Sequence, residues 1–238
     1  MNEIIPNPQI STRTAILIDG GFFIKRYKNV FENGNTHKPE TIVYNMYQMV
    51  KNHIQSDYLY RILYYDCEPA NFQAKHPISE KIIDFSKSDT AKFKIELFEI
   101  LKHTRKVALR FGTLKYSSDE WIVNPKTLKN ILCGKLKIES INEKHVMPDI
   151  IQKGVDMKMG LDIASLAYKQ LVNRIILISG DSDFVPAAKL ARREGLDVIL
   201  DPMWNHINPS LHEHIDGLIS VCPNPLDNFK HRGAFKYK

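Results

Sequence analysis

The chain has 238 residues, of which 33 are Lys or Arg and 27 are Asp or Glu, for a formal charge of +6. Hydrophobic residues at 43% and charged residues at 25% exclude wholesale disorder, the longest apolar runs fall far short of the roughly 20 residues that cross a bilayer, and Met1–Pro6 lacks the basic-then-apolar pattern of a secretory leader. Cys67, Cys133 and Cys222 are few, odd in number and widely spaced, which fits buried thiols in a reducing cytoplasm and not a disulfide framework or zinc knuckle.

Thr14–Ile18 is a short apolar run ending in Asp19-Gly20-Gly21, the pattern of a buried strand followed by a glycine turn. A helix is expected over Phe22–Phe31, and an amphipathic helix over Thr41–His53 from the spacing of Ile42, Val43, Met46, Met49 and Val50. Arg61–Tyr65 reads as the second strand, closed by Asp66-Cys67-Glu68-Pro69. A helix is expected over Thr90–His103 and the third strand over Val107–Leu114, with Gly112 marking a bulge or a close approach. The stretch from there to about Val146 has mixed periodicity. Beyond it the pattern gives a helix over Asp156–Leu171, a fourth strand over Arg174–Ser179 and a helix over Asp183–Glu194 stopped by Gly195. A fifth strand over Leu196–Leu200 and a sixth over Gly217–Val221 complete the series. Strands that are almost wholly apolar and alternate with helices predict an α/β fold with a mostly parallel sheet covered on both faces. Residues 1–13 read as an extension, 14–222 as one domain with a basic insertion at about 115–147, and 223–238 as a basic tail.

Three acids share one topological address in that scheme. Asp19 ends the first strand, while Asp181 and Asp183 follow the fourth. Ligands of open parallel sheets bind outside the carboxyl ends of strands where the strand order reverses, and the order 3-2-1-4-5 places strands one and four side by side there. Asp156, opening the helix that leads into strand four, joins them. Carboxylates gathered in one crevice repel each other unless a cation lies between them, and Mg²⁺ or Mn²⁺, which prefer oxygen ligands and keep several waters, suit such a set. Each acid also has a structural reading: Asp183 and Asp156 as helix caps, Asp19 as a turn former, and Asp162, roughly 240° around the helix from Asp156, as a structural or supporting partner.

These residues resemble a known family. Ala15-Ile-Leu-Ile-Asp-Gly20, Gln152-Lys-Gly-Val-Asp156 with Gly160-Leu-Asp-Ile-Ala164, and Ser179-Gly-Asp-Ser-Asp-Phe-Val-Pro-Ala187 with Arg192-Arg-Glu-Gly195 are similar to the NYN-domain family, and more closely to its LabA-like bacterial branch, from about Thr14 to Val221. The resemblance implies a Rossmann-like, PIN-like three-layer sandwich and divalent-metal-dependent hydrolysis of RNA. It matches Asp19, Asp156, Asp181 and Asp183 to the catalytic, metal-holding acids, and Asp162 to a frequent family acid of secondary role. Gly20, Ser179, Gly180 and Ser182 would shape the turns that present them. Where many members carry a polar residue after the first Asp, this chain has Gly21-Phe22-Phe23. The alternative reading is a non-catalytic RNA-binding or regulatory module that keeps the fold.

Other chemistries fit less well. A dehalogenase-like phosphatase needs a second Asp where Gly21 stands, and a topoisomerase-primase-type site needs Glu where Asp19 stands. Gly20-Gly21-Phe22-Phe23 is no dinucleotide fingerprint, neither Ser179 nor Ser182 sits in a nucleophile elbow, and His206, His212 and His214 lack zincin spacing and read as decoration of a terminal helix.

The net charge is unevenly placed. From Lys102 to Lys137 nine basic residues face only Asp119 and Glu120, a net +7; Asn224–Lys238 carries +3, leaving −4 for the remainder. A single-stranded RNA substrate is expected to meet Lys115, Lys126, Lys129, Lys135 and Lys137, with Arg192 and Arg193 as a further patch. Phe111, Tyr116 and Trp121 are interleaved and offer faces for base stacking, or else belong to the core. Lys230, Arg232, Lys236 and Lys238 give the tail the same expectation. No membrane partner is expected, and oligomeric state is not legible.

Overall fold

The computed structural model describes residues 11–225, without the side chains of 117–119. In chain order the elements are β1 (Arg13–Asp19), α1 (Gly20–Val30), α2 (Pro39–Ile54), β2 (Tyr58–Cys67), β3 (Gln73–Lys75), β4 (Ile82–Asp84), α3 (Asp89–His103), β5 (Val107–Val123) and α4 (Pro125–Leu132). There follow β6 (Val146–Lys153), α5 (Val155–Tyr168), β7 (Arg174–Ile178), α6 (Val185–Arg193), β8 (Asp197–Asp201), α7 (Pro209–His212) and β9 (Gly217–Leu218). The expected N-terminal extension up to residue 10 and the basic tail from residue 226 on, with Lys230, Arg232, Lys236 and Lys238, lie outside the described residues.

Two compact units divide the chain. The first comprises the chain up to Asp66, Ile100–Arg110 and the chain from Asp156 on; the second comprises Cys67–Glu99 and Phe111–Val155. In the first unit β1 lies between β2 and β7, parallel to both, and β7 continues through β8 to β9. Successive residues of a strand point to opposite faces, yet Ala15, Ile16, Leu17 and Ile18 are all fully buried, as are Ile175–Ile178. Both faces of the sheet are therefore covered, the condition that parallel strands joined by helical crossovers require. α1 buries Phe23, Tyr27 and Val30 at helical spacing, and α2 buries Ile42, Val43, Met46, Met49 and Val50.

The five strands expected as 3-2-1-4-5 neighbour one another in that way, as β5-β2-β1-β7-β8, but the sheet does not end there. β9 extends one edge, and the later part of β5 pairs antiparallel with β6. The third strand runs on to Val123, well past Leu114, so the region of mixed periodicity begins as strand. A register shift between Tyr116 and Trp121 interrupts its alternation. No free glycine turn follows β1: α1 starts at Gly20 itself, because the Asp19 carboxylate caps it. The expected sixth strand shrinks to Gly217–Leu218.

In the second unit β3 and β4 form an antiparallel pair, and an aromatic cluster supplies packing. Phe72 stacks on Tyr116 with ring centroids 3.7 Å apart and on Phe85 at 4.9 Å, while Trp121 meets His76 edge-on at 4.7 Å. Phe111 packs on Phe98 at 4.8 Å. The three aromatics interleaved with the basic residues thus have structural partners. A β-carbon on Gly112 would come within 2.6 Å of the Lys153 carbonyl, so this glycine marks a close approach. Cys67 and Cys222 are buried free thiols, but Cys133, at the end of α4, is exposed.

Gly20 fixes how closely α1 approaches β2. A β-carbon there would lie 2.6 Å from the Tyr64 ring and 2.7 Å from the Tyr65 carbonyl oxygen. Backbone on the far side leaves little room to yield, so Gly20→Ala should destabilise the protein by about 1–3 kcal/mol in urea unfolding. An unchanged midpoint and slope would show that β2 gives way freely.

Candidate active site

The parallel register sets the carboxyl edge of the first unit. Asp19 pairs with Tyr65, immediately before Asp66, and Ile18 pairs with Ile178, immediately before Ser179. Asp66, Asp19 and the Ser179–Asp183 turn therefore leave neighbouring strands on one side of the sheet. Sequence reasoning misses Asp66, because Asp-Cys-Glu-Pro reads as a turn. The signal that could find it is its place at the end of the strand beside Asp19.

Asp19 is half-buried, and its Oδ1 accepts the Phe22 backbone N–H at 3.0 Å. Burial pushes its carboxyl above the ordinary value, against the lowering effect of that N–H, and the negative charges of Asp156 and Asp66 push the same way. Asp156 sits in the first turn of α5. Burial of its carboxyl, followed by the charges of Asp181 and Asp183, raises its pKa. Tyr64 reports the same field: burial, then Asp66 and Asp19, raise its phenol. Asp19, Asp156, Asp181 and Asp183 are thus linked in one electrostatic chain.

The turn after β7 is built by its own side chains. The Asp181 N–H donates to Ser179 Oγ at 3.3 Å, and Asp181 Oδ1 accepts the Asp183 N–H at 3.0 Å. Capping, expected of Asp183, falls to Asp181, which caps the 3-10 turn Ser182–Phe184; α6 then begins with Pro186 in its first turn. Ser179 is fully buried, whereas Asp181 and Asp183 are exposed and Ser182 is half-buried. Gly180 admits the Phe22 ring, which a β-carbon would meet at 2.7 Å. The Gly-Phe-Phe departure after Asp19 therefore supplies a wedge between the two turns and no polar contact.

Asp162 is differently placed. Its Oδ2 accepts both the Tyr65 hydroxyl at 2.8 Å and Arg110 Nε at 2.9 Å. Burial and the Asp162 charge push the Tyr65 phenol up, which keeps it a neutral donor. Of the basic candidates, Arg192 is engaged by Asp216 at 2.8 Å and by the Glu213 carbonyl, and Arg193 by Glu194 at 3.5 Å. Lys115, Lys126, Lys129, Lys135 and Lys137 belong to the second unit, are exposed, and make no salt bridge among the described residues.

The donor chemistry suits a hard divalent cation. All four acids are carboxylates, two are raised partly by neighbouring negative charge, and a cation relieves that repulsion. Among the described residues no three His, Cys, Asp or Glu side chains stand together as a ready ligand group, so an ion here would complete its shell with water.

Because the raised carboxyls of Asp19 and Asp156 favour the fold while protonated, their contribution is present below the ordinary carboxylate value and is lost as pH rises through the raised one. Asn keeps the cap acceptor but carries no charge. In EDTA at pH 7, Asp19→Asn should therefore melt above the parent, with the difference closing as pH falls below about 4. A lower melting temperature at pH 7 would mean that neither burial nor neighbouring charge penalises the Asp19 carboxylate.

A family model described as "NYN domain" matches residues 13–222. No curated protein matches the chain. Among solved structures, a protein of unknown function from Vibrio parahaemolyticus is 16% identical over 90% of this chain and 96% of its own, with a TM-score of 0.45. A nicotinamidase from Staphylococcus aureus is 12% identical over 86% and 90%, with a TM-score of 0.31. Among the described residues no helix is long and apolar enough to cross a membrane.

Proposed function

This chain belongs to the NYN domain family, a PIN-like nuclease family, and we propose that it is a divalent-metal-dependent ribonuclease acting on single-stranded RNA. One observation carries the reading. Asp57, Asp162, Asp197, Asp201 and Asp216 each face an Arg or His, whereas among the described residues no salt bridge reaches Asp19, Asp156, Asp181 or Asp183. What sets these four apart is that Asp19 and Asp156 are raised by burial and by neighbouring negative charge, with no salt bridge among the described residues to relieve it.

Asp19, Asp156, Asp181 and Asp183 would hold Mg²⁺ or Mn²⁺, which supplies an activated water and charge neutralisation at phosphorus. The chain's own residues do the rest. The Phe22 N–H holds one Asp19 oxygen and leaves the other for the site. The Ser179 hydroxyl and the Asp183 N–H set the Asp181 turn. Asp162 acts by position, since its bonds to Tyr65 and Arg110 tie α5, which carries Asp156, to β2 and β5. Lys115, Lys126, Lys129, Lys135 and Lys137 bind backbone phosphates by charge.

Labelled single-stranded RNA incubated with Mn²⁺ should be cut by the parent. Asp181→Asn and Asp19→Asn should be slower by on the order of a hundredfold or more. Equal cutting by all three would mean a contaminant. No cutting by any, with salt-sensitive binding retained, would favour a binding module. Replacing Lys126, Lys129, Lys135 and Lys137 with Gln should weaken RNA binding and flatten the log–log salt dependence by about 0.7 for each phosphate no longer neutralised; an unchanged slope would remove this surface from the RNA interface.

A further inference from the structure

Beyond the aspartates, the carboxyl end of β8 carries a turn built at conformational expense. Met203 and Trp204 both have positive φ, +47° and +61°, in a region that side-chain-bearing residues seldom occupy. Four sets of bonds hold them there. Asp201, fully buried and 2.8 Å from His53 Nε2, accepts the Met203 N–H at 2.8 Å. Arg26 donates through Nε and Nη2 to the Met203 carbonyl at 3.2 and 2.7 Å. The Trp204 N–H donates to Ser220 Oγ at 3.0 Å, and its indole N–H to the Cys222 carbonyl at 2.9 Å.

All this fixes a tryptophan that is nevertheless left 39% exposed. Strained backbone held by surrounding bonds is characteristic of binding turns. The ring borders a cavity of 370 Å³ with Pro202, Asn205, His206, His212 and Leu218 on its walls, a size within the range of ligand pockets. Among the described residues no Lys, Arg, Asp or Glu lines it, so it suits a flat uncharged group and not a phosphate. It also adjoins the catalytic turn: Asn205 Nδ2 stands 3.3 Å from where a β-carbon of Gly180 would be, one residue before Asp181.

We infer that this cavity seats one nucleobase of the RNA next to the phosphodiester at Asp181, with the Trp204 ring as stacking platform and the Asn205 amide reading the base edge. The choice of a nucleobase rests on the ribonuclease reading. Ring stacking is tolerant of sequence, whereas an amide can form paired hydrogen bonds with a base edge. The pocket therefore holds the strand in register and adds selectivity through Asn205.

The test uses the full chain in EDTA, where no cleavage occurs, with adenosine 5′-monophosphate, uridine 5′-monophosphate and ribose 5-phosphate as probes. Ligand-observed saturation-transfer NMR should mark the base protons. The nucleotide Kd should rise about tenfold or more in Trp204→Ala and recover in large part in Trp204→Phe. Ribose 5-phosphate should bind far more weakly. Since Trp204→Ala also deletes the bond to Cys222, Asn205→Ala is the second probe and should weaken binding without lowering the melting temperature. Parent-like binding by both variants, or equal binding of ribose 5-phosphate, would overturn the inference. So would binding that responds to Asn52→Ala and not Asn205→Ala, because Asn52 lines a separate 550 Å³ cavity that Trp204 also borders. RNA cleavage with no base binding would sink this site alone. Base binding that depends on Trp204 with no cleavage by any preparation would support the site and sink the nuclease.

Discussion

Burial of carboxylates beside one another at one edge of a parallel sheet is the constraint on which this candidate site turns. Parallel pairing brings the ends of β1, β2 and β7 to the same side, and the sequence places Asp at or just beyond each of them. A fold selected for stability alone would not keep Asp19 half-buried with its carboxyl pushed up by burial and by Asp156 and Asp66. The same chain shows that it can neutralise acids elsewhere. Arg174 bridges Asp57 and Asp197 at 2.8 and 2.6 Å, and Arg110 holds Asp162. Carboxyls raised by burial and by one another's charge, with no salt bridge to them among the described residues, are of the kind that marks functional sites.

The paired acids and the unpaired ones cooperate. Asp162 cannot serve as a bare anion, because one of its oxygens already accepts from Tyr65 and Arg110. It can hold α5 in place so that Asp156 faces the repulsive cluster. Asp201 plays the matching part at β8, where its pairing with His53 and its bond to the Met203 N–H keep the following turn in an otherwise costly shape. Charge is thus used in two ways near one sheet edge: paired where Asp162 and Asp201 hold geometry, and without a salt bridge among the described residues at Asp19, Asp156, Asp181 and Asp183.

The strands are legible in the sequence because β1 and β7 each carry an unbroken apolar run, Ala15–Ile18 and Ile175–Ile178, a pattern that burial on both faces produces and a solvated strand does not. Asp19 and Asp181 are legible from strand ends alone. Asp66 is not, because a following Cys-Glu-Pro gives the appearance of a turn while the strand runs to Cys67. Which Asp caps the turn after β7 cannot be read either, since Asp181 and Asp183 are equally good capping types and only the 3-10 turn between them decides. The basic stretch stays obscure for a physical reason: its strand is partly exposed, shifts register between Tyr116 and Trp121, and so loses its alternation. Trp204 lies hidden because nothing in Pro-Met-Trp-Asn announces two successive left-handed residues; the bonds that force them come from Asp201, Arg26, Ser220 and Cys222, all outside that short segment.

The partition of charge then has a structural logic that the formal +6 conceals. Basic residues of the first unit are often spoken for: Arg110, Arg174 and Arg192 each hold a carboxylate. A free lysine among the four aspartates would pair with one of them and relieve the repulsion that raises Asp156. The exposed lysines from Lys115 to Lys137 sit in chain segments of the second unit. Yet the first unit carries the larger net charge, +5 against +1 for the second, so the separation of signs is local to the strand-end turns and the Lys115–Lys137 stretch and is not a division between the units.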